Sequence, residues 1–491
     1  MASPLAGLTP IQPEAIDPDA TKVVRRLVRY GHEAFLVGGC VRDLLLGRQP
    51  KDFDVATSAT PNEIKKLFRN SRIIGRRFRL AHIFFGAKII ETSTFRAPPL
   101  PQPEAEAEDL IIRRDNEFGT AREDALRRDF TINGLFLDLP NERVLDHVGG
   151  LADLQRRRIR TIGDPRVRIP EDPVRIIRAV KFAARLDFEL DPATETAMVE
   201  YRGMIAQCSV ARVLEEIYRL LGSGHVAPAL RLCHRTGVLA VLLPELQAVV
   251  GPPPDARAQQ PVVPVQDRSG LPRDAGDTES PEALARDAGP DPALSRSRDP
   301  TPEDLAAIQA ATEQLILDLT GPDPHARELA GQLTWAHLEA VDRTVQAAAA
   351  QDPPTRPTHA FLLAGSVIGL AWHQLQPQTP IRESMSSLEQ LVKALGSRLR
   401  VSRRDRERLK QLLIAMRRMV HQGKRRRPTA LMQRDYFSEA WQLFELSCGV
   451  TGEHQEALEH WRQLMGRSAK GKGRRGRRGR RGRRRRKPSS D

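Results

Sequence analysis

KDFDVAT, residues 51–57, places two acids, Asp52 and Asp54, two positions apart in a strand-like stretch. Side chains alternate across a strand, so both acids would project from one face while Phe53 packs on the other. Two carboxylates held side by side repel each other unless they are protonated or bridged by a cation. Mg²⁺ is a hard ion that favours carboxylate and phosphate oxygens together. Two such ions can activate an attacking hydroxyl and stabilise a departing pyrophosphate. Taken alone, an Asp-x-Asp serves equally well for capping or solvation. Just upstream, VGGCVRD at 37–43 adds Gly38 and Gly39, where a backbone without Cβ can approach a phosphate closely. Arg42 is placed to reach a triphosphate, and Asp43 to hold that arginine or cap its helix. GxGxxG is absent, so this is no dinucleotide fingerprint.

Two further segments carry polar groups at usable spacing. RRDFTIN, residues 127–133, offers Arg128 and Asn133 to a triphosphate and its sugar, and Asp129 to orient metals, primer end or ribose. Asp129 could equally be tied up in a salt bridge to Arg127 or Arg128, and Glu91, in the apolar stretch IIETSTF, is the other candidate for a third acid. In EDPVRIIR, residues 171–178, Asp172, Arg175 and Arg178 recur at i, i+3 and i+6, near one face of a helix. An acceptor beside a fork of donors can pair with the Watson–Crick edge of a base, so that side chains replace a template strand. The same spacing also serves ordinary surface ion pairs.

LVGGCVRDLLLGRQPKDFDVAT, followed in order by RRDFTIN, DHVGGLADLQRRRIRTIG, EDPVRIIRAVKFAARL and ARVLEE, resembles the class II nucleotidyltransferases over roughly residues 35–245. That group holds the CCA-adding tRNA nucleotidyltransferases and the bacterial poly(A) polymerases. The resemblance implies that Asp52 and Asp54 bind metal, that Asp129 is a third catalytic acid, and that two Mg²⁺ ions and ATP take part. It implies nucleotide binding by Gly38, Gly39, Arg42, Asp43, Arg128, Asn133, Asp172, Arg175 and Arg178. Residues 146–163 resemble the family's flexible link between head and neck. Within the group, GRRFRLAH at 75–82 resembles the poly(A) polymerase pattern, where CCA-adding relatives more usually carry Gly-Thr after the Phe. The implied activity is template-independent addition of AMP to RNA 3′ ends, with release of pyrophosphate, in RNA turnover. The alternatives are a CCA-adding enzyme and, in another class, a catalytically inactive RNA-binding factor.

The elements that must position these residues follow from periodicity. Helix at 20–33, strand at EAFLV, helix at CVRDLLLG, strand at DFDVAT, helix after Thr60-Pro61 and three more strands predict an α/β head with a mixed sheet. From about 171 onward helical patterns dominate, so the expected class is an α/β head followed by all-α neck and C-terminal parts. The predicted division is a flexible N-terminus (1–20), head (21–150), helical neck (151–250), disordered insertion (251–302), helical RNA-binding region (303–466) and disordered Arg-rich tail (467–491). The 25-residue tail holds 14 of the 77 Lys and Arg and one acid, or +13 of the net +15, leaving about +2 for everything else. Such a polycation points to RNA. No apolar run spans a membrane and no export signal is evident. Four dispersed cysteines without a CxxC pair argue against zinc and for a reducing cytoplasm. A monomer is expected, acting on RNA 3′ ends, with RNA-degradation proteins as candidate partners.

Overall fold

A computed structural model describes residues 7–75, 79–97, 118–254, 302–421 and 428–478. The chain divides into two compact units, one built from Met1–Ile217, Pro228–Leu242 and Pro253–Leu305, the other from Tyr218–Ala227, Leu243–Pro252 and Ala306–Asp491.

The first unit is organised by a seven-stranded sheet. Its strands are β1 (Ala34–Val37), β2 (Asp54–Thr57), β3 (Ser71–Ile74), β4 (Leu80–Phe85), β5 (Lys88–Thr94), β6 (Leu135–Asp138) and β7 (Arg143–Asp146), in the order β3-β4-β5-β2-β1-β6-β7. Only β2 and β5 pair in parallel, which makes the sheet mixed. On one face lies α1 (Pro18–Arg29), started by Asp17, whose carboxylate accepts from the amides of Asp19 and Ala20. It buries Ala20, Val23, Val24 and Leu27, an i, i+3, i+4, i+7 stripe. Each of its larger side chains contributes roughly 2 kcal/mol of burial. The other face carries Phe35, Val37, Ala56, Phe95 and Phe136, closed by Ala125 of α4 (Ala121–Arg127). Phe35 stacks on Phe95 and meets Phe136 edge-on, each at 6.0 Å. Between these, α2 (Gly39–Leu45) follows β1, and α3 (Pro61–Leu67) opens with a Thr60–Glu63 capping box. Downstream come α5 (Gly150–Gln155), α6 (Pro165–Glu171) and α7 (Val174–Leu186).

Among its described residues the second unit is helical. His359–Leu375 is buried all round, as its uniform hydrophobicity demands, and packs against Pro324–Ala349, Ile381–Arg398, Arg403–Val420 and Phe437–Thr451. A Cβ on Gly369 would stand 2.4 Å from the Thr334 amide nitrogen, so the glycine lets two helices approach backbone to backbone. No described helix is long and apolar enough to cross a membrane.

Three expectations change. The strand expected from Asp52 begins only at Asp54. The last helix, Gln455–Arg478, runs through 467–478, where a disordered tail is expected. Arg and Lys are good helix formers, and here they continue a helix already started by the packed Ala457, Leu458 and Trp461. The link at 146–163 is tied down locally: the Asp146 carboxylate accepts from the amides of Val148, Gly149, Gly150 and Leu151 at 2.8–3.1 Å. Most of the insertion (255–301), Arg76–Phe78 and the end of the tail (479–491) lie outside the described residues.

Candidate active site

The site grows from the junction of β1 and β2. Val37 lies opposite Asp54, so the acid that opens β2 meets the glycine pair that closes β1. Gly38 adopts φ 74°, ψ −127°, which only glycine takes up without strain, and a Cβ there would stand 3.0 Å from Arg128 Nη1. Asp54, the start of α2 and Arg128 thus converge. The Asp54 carboxyl is pushed up to about 6, chiefly by burial, then by Glu91 and Asp52, with Arg128 opposing. Asp52 is exposed and stands on the approach to β2, separated from Asp54 by the buried Phe53. Glu91 is Asp54's neighbour because β5 runs parallel to β2 with Thr92 beside Val55.

A buried polar chain backs this junction. Arg42 Nε donates to Asp43 Oδ1 (2.8 Å) and its Nη1 to Asn133 Oδ1 (2.6 Å). Asn133 Nδ2 donates in turn to Asp129 Oδ1 (3.1 Å), and Asp129 Oδ2 lies 2.7 Å from Arg178 Nη2. Asp129 therefore pairs with Arg178, not with Arg127 or Arg128; Arg128 is taken by Asp124 at 2.9 Å. Burial works to raise the Asp129 carboxyl, but Arg178, Asn133, the Phe130 amide and Arg175 outweigh it and hold it below its usual range. At the far end of the chain, Arg185 Nη2 reaches Asp43 Oδ2 at 3.2 Å.

The third segment does not form one helical face. Arg175 and Arg178 lie on α7, but Asp172 precedes it at an extended break before Pro173. Proline removes the amide that a continuous helix needs and pushes the preceding residue out of the helical region. Asp172 Oδ2 accepts from Arg212 (2.9 Å), while its buried Oδ1 has no hydrogen-bond partner. Arg175 Nη1 is held by Glu171 (3.2 Å) and by the Arg168 carbonyl. Arg178, Phe182 and Arg185 dock α7 onto the head, Phe182 lying 5.8 Å from Phe130 and under the Arg42 guanidinium.

Residues 34–160 match the family described as the poly(A) polymerase head domain, and residues 187–249 the one described as a probable RNA and SrmB-binding site of polymerase A. The chain belongs to the class II nucleotidyltransferase superfamily. This nucleotidyltransferase is 48% identical to poly(A) polymerase I of Salmonella typhi over 215 residues, 43% of this chain and 46% of that protein. To poly(A) polymerase I of Haemophilus influenzae it is 41% identical over 259 residues, 52% of this chain and 57% of that protein. To a CCA-adding enzyme of Bacillus pumilus it is 37% identical over 214 residues, 43% and 52% of the two chains. The chain thus spans about half the length of the curated relatives it matches. In fold it is similar to a tRNA nucleotidyltransferase solved with a primer tRNA and an incoming ATP analog, with TM-score 0.51 at 20% identity over 90% of this chain and 99% of that one.

Catalysis in this superfamily implies a divalent metal and ATP. Among the described residues no cluster of three or more His, Cys, Asp or Glu side chains is arranged around a metal position. The donors at hand still fit Mg²⁺, which binds through one or two carboxylates and completes its shell with water and substrate phosphates. Asp54 supplies a carboxylate whose charge burial penalises and a cation would relieve. Sequence reasoning passed over Asp153, which accepts from Thr131 Oγ1 (2.6 Å) and Arg160 (2.8 Å) and so braces the RRDFTIN turn. It also missed Phe182 and Arg185. A buried acid on a short helix and an aromatic one turn after Arg178 are signals only once the head and α7 are known to touch.

Proposed function

We propose that the chain is a template-independent poly(A) polymerase that transfers AMP from ATP to RNA 3′ ends and releases pyrophosphate. The observation that carries this is the head: its 48% identity to poly(A) polymerase I spans the junction where Gly38, Asp54 and Arg128 converge. Asp52 and Asp54 would hold the metal, as two Mg²⁺ ions, with Glu91 the nearest further acid. When bound, the metal neutralises the triphosphate and lowers the pKa of the attacking hydroxyl. The Gly38–Gly39 backbone and Arg128 orient the triphosphate, so the RNA 3′-oxygen attacks the α-phosphorus as its bond to the bridging oxygen breaks. Asp129 and Asn133, fixed by the buried chain, face the ribose and act as positioning groups. The unpartnered Asp172 Oδ1 can accept from the exocyclic amine of adenine, and Arg175 is the donor beside it.

In this reading residues 21–150 are the catalytic head, 151–250 the neck, and the helical 303–466 and Arg-rich 467–491 segments hold RNA. The chain works as a cytoplasmic monomer that feeds RNA to degradation proteins. The 37% identity to CCA-adding enzymes supports a second reading. Primer extension with Mg²⁺ and one nucleotide at a time separates the two, using a single-stranded oligomer and a tRNA lacking its CCA end. Long tails from ATP alone support the polymerase. Addition of two C and one A to the tRNA, stopping there, makes the chain a CCA-adding enzyme.

A further inference from the structure

GRRFRLAH, residues 75–82, sets this chain apart from the CCA-adding pattern, yet it makes no contact in the reaction just described. Its last residue, His82, lies on β4 directly opposite Glu91 of β5, and His82 Nε2 stands 3.6 Å from Glu91 Oε1. Glu91 neighbours Asp54 through the parallel pairing of β5 with β2, and Asp54 lies opposite Val37 on β1. His82, Glu91, Asp54 and Val37 therefore form one row across four adjacent strands. Residues that neighbour one another across a sheet project from the same face.

The polar members of this row are held unequally. The His82 side chain is 17% exposed and packs edge-on against Phe84, ring centres 6.5 Å apart. Glu91 is 53% exposed, and a long side chain that free disperses over its rotamers unless something restrains it. We propose that His82 is a positioning residue of the nucleotidyl transfer, holding the Glu91 carboxylate toward Asp54 so that a third acid faces the metal-binding pair. This rests on the reading of the head as a metal-dependent nucleotidyltransferase. In that arrangement GRRFRLAH contributes through a fixed acid as well as through its positive charge. Groups that orient the acids of a metal site change metal affinity or activity about 10–100-fold when removed.

The test uses the full chain with His82→Ala, His82→Gln, Glu91→Gln and the His82→Ala/Glu91→Gln double variant. Mn²⁺ binding is followed by electron paramagnetic resonance without nucleotide or RNA, beside kcat and KM for ATP in oligomer extension. His82→Ala should weaken Mn²⁺ binding and lower kcat by about tenfold, with KM for ATP little changed. Gln, whose amide can reach the same carboxylate, should restore most of both. In the Glu91→Gln background, His82→Ala should add nothing. Unchanged Mn²⁺ binding in His82→Ala, or full additivity with Glu91→Gln, overturns the proposal. Should His82→Ala melt well below the parent, His82→Asn against His82→Gln decides, because the shorter amide cannot reach; equal Mn²⁺ binding by those two also overturns it. Asp54→Ala separates the two levels. If it still binds Mn²⁺ and extends primers, the underlying reading fails; if it is inactive while His82→Ala behaves as the parent, only the role of His82 fails.

Discussion

Asp54 and Asp43 stand a few ångströms of backbone apart in function and have opposite relations to stability. Asp54 is held where burial and two acids disfavour its charge, which pushes its carboxyl up to about 6. Asp54→Asn removes a cost to the fold together with a metal ligand. We expect it to melt at or above the parent in chelator, bind RNA as the parent does, and lose at least ~10³-fold in AMP transfer. Retention of more than a tenth of the activity would remove Asp54 from the site. Asp43, in contrast, is the partner of the buried Arg42 (2.7 Å) and of Arg185. Asp43→Ala leaves a buried guanidinium short of its counter-charge and should cost about 3–5 kcal/mol in urea unfolding. A loss below about 1 kcal/mol would mean that Arg42 finds water instead.

At the scale of elements, two helices show how polar groups are fitted into packed surroundings. Helix α7 reaches the head through Arg178, Phe182 and Arg185, so its sequence serves docking as much as recognition. In the second unit, helix Pro324–Ala349 buries His337, whose Nδ1 donates to the Leu333 carbonyl (2.7 Å) and whose Nε2 accepts from the Ser447 hydroxyl (3.2 Å). Burial pushes its imidazole down from 6.5 to about 4, and the Leu333 contact opposes only in part. The unfolded chain therefore takes up this proton first as pH falls. The neutral ring's contribution is fully present above about 6.5 and is lost between 6.5 and 4. His337→Gln should flatten the pH dependence of unfolding in that window by about 3 kcal/mol. Identical slopes for parent and variant would contradict a neutral buried His337.

At the scale of the whole molecule, charge is segregated. The final 25 residues hold +13 of a net +15, against about +2 for the rest. Affinity for single-stranded RNA should fall with salt by a slope set by the number of phosphates neutralised, about 0.7 for each. Deleting residues 467–491 should make that slope shallower by roughly 3 or more, with no change in the choice of ATP over CTP. The check is oligomer binding titrated across salt concentrations. An unchanged slope would assign RNA affinity to the folded units alone.

The sequence by itself determined the order and type of the elements. Apolar stripes at helical spacing, Asp and Thr caps before proline, and short β-branched runs are local signals, and each led to an element within a few residues of its place. It also named the acids, glycines and arginines that gather at the β1–β2 junction. Only the tertiary structure decided which of them meet. A pairing such as Asp129 with Arg178, or Glu91 beside Asp54, joins residues far apart in the chain, and strand register and helix docking fix it. The break at Asp172 is a middle case: Pro173 announces it locally, but a motif read by spacing alone hides it. Only packing around Asp54 raises its carboxyl and makes a cation welcome there, because burial and neighbouring charge belong to the fold.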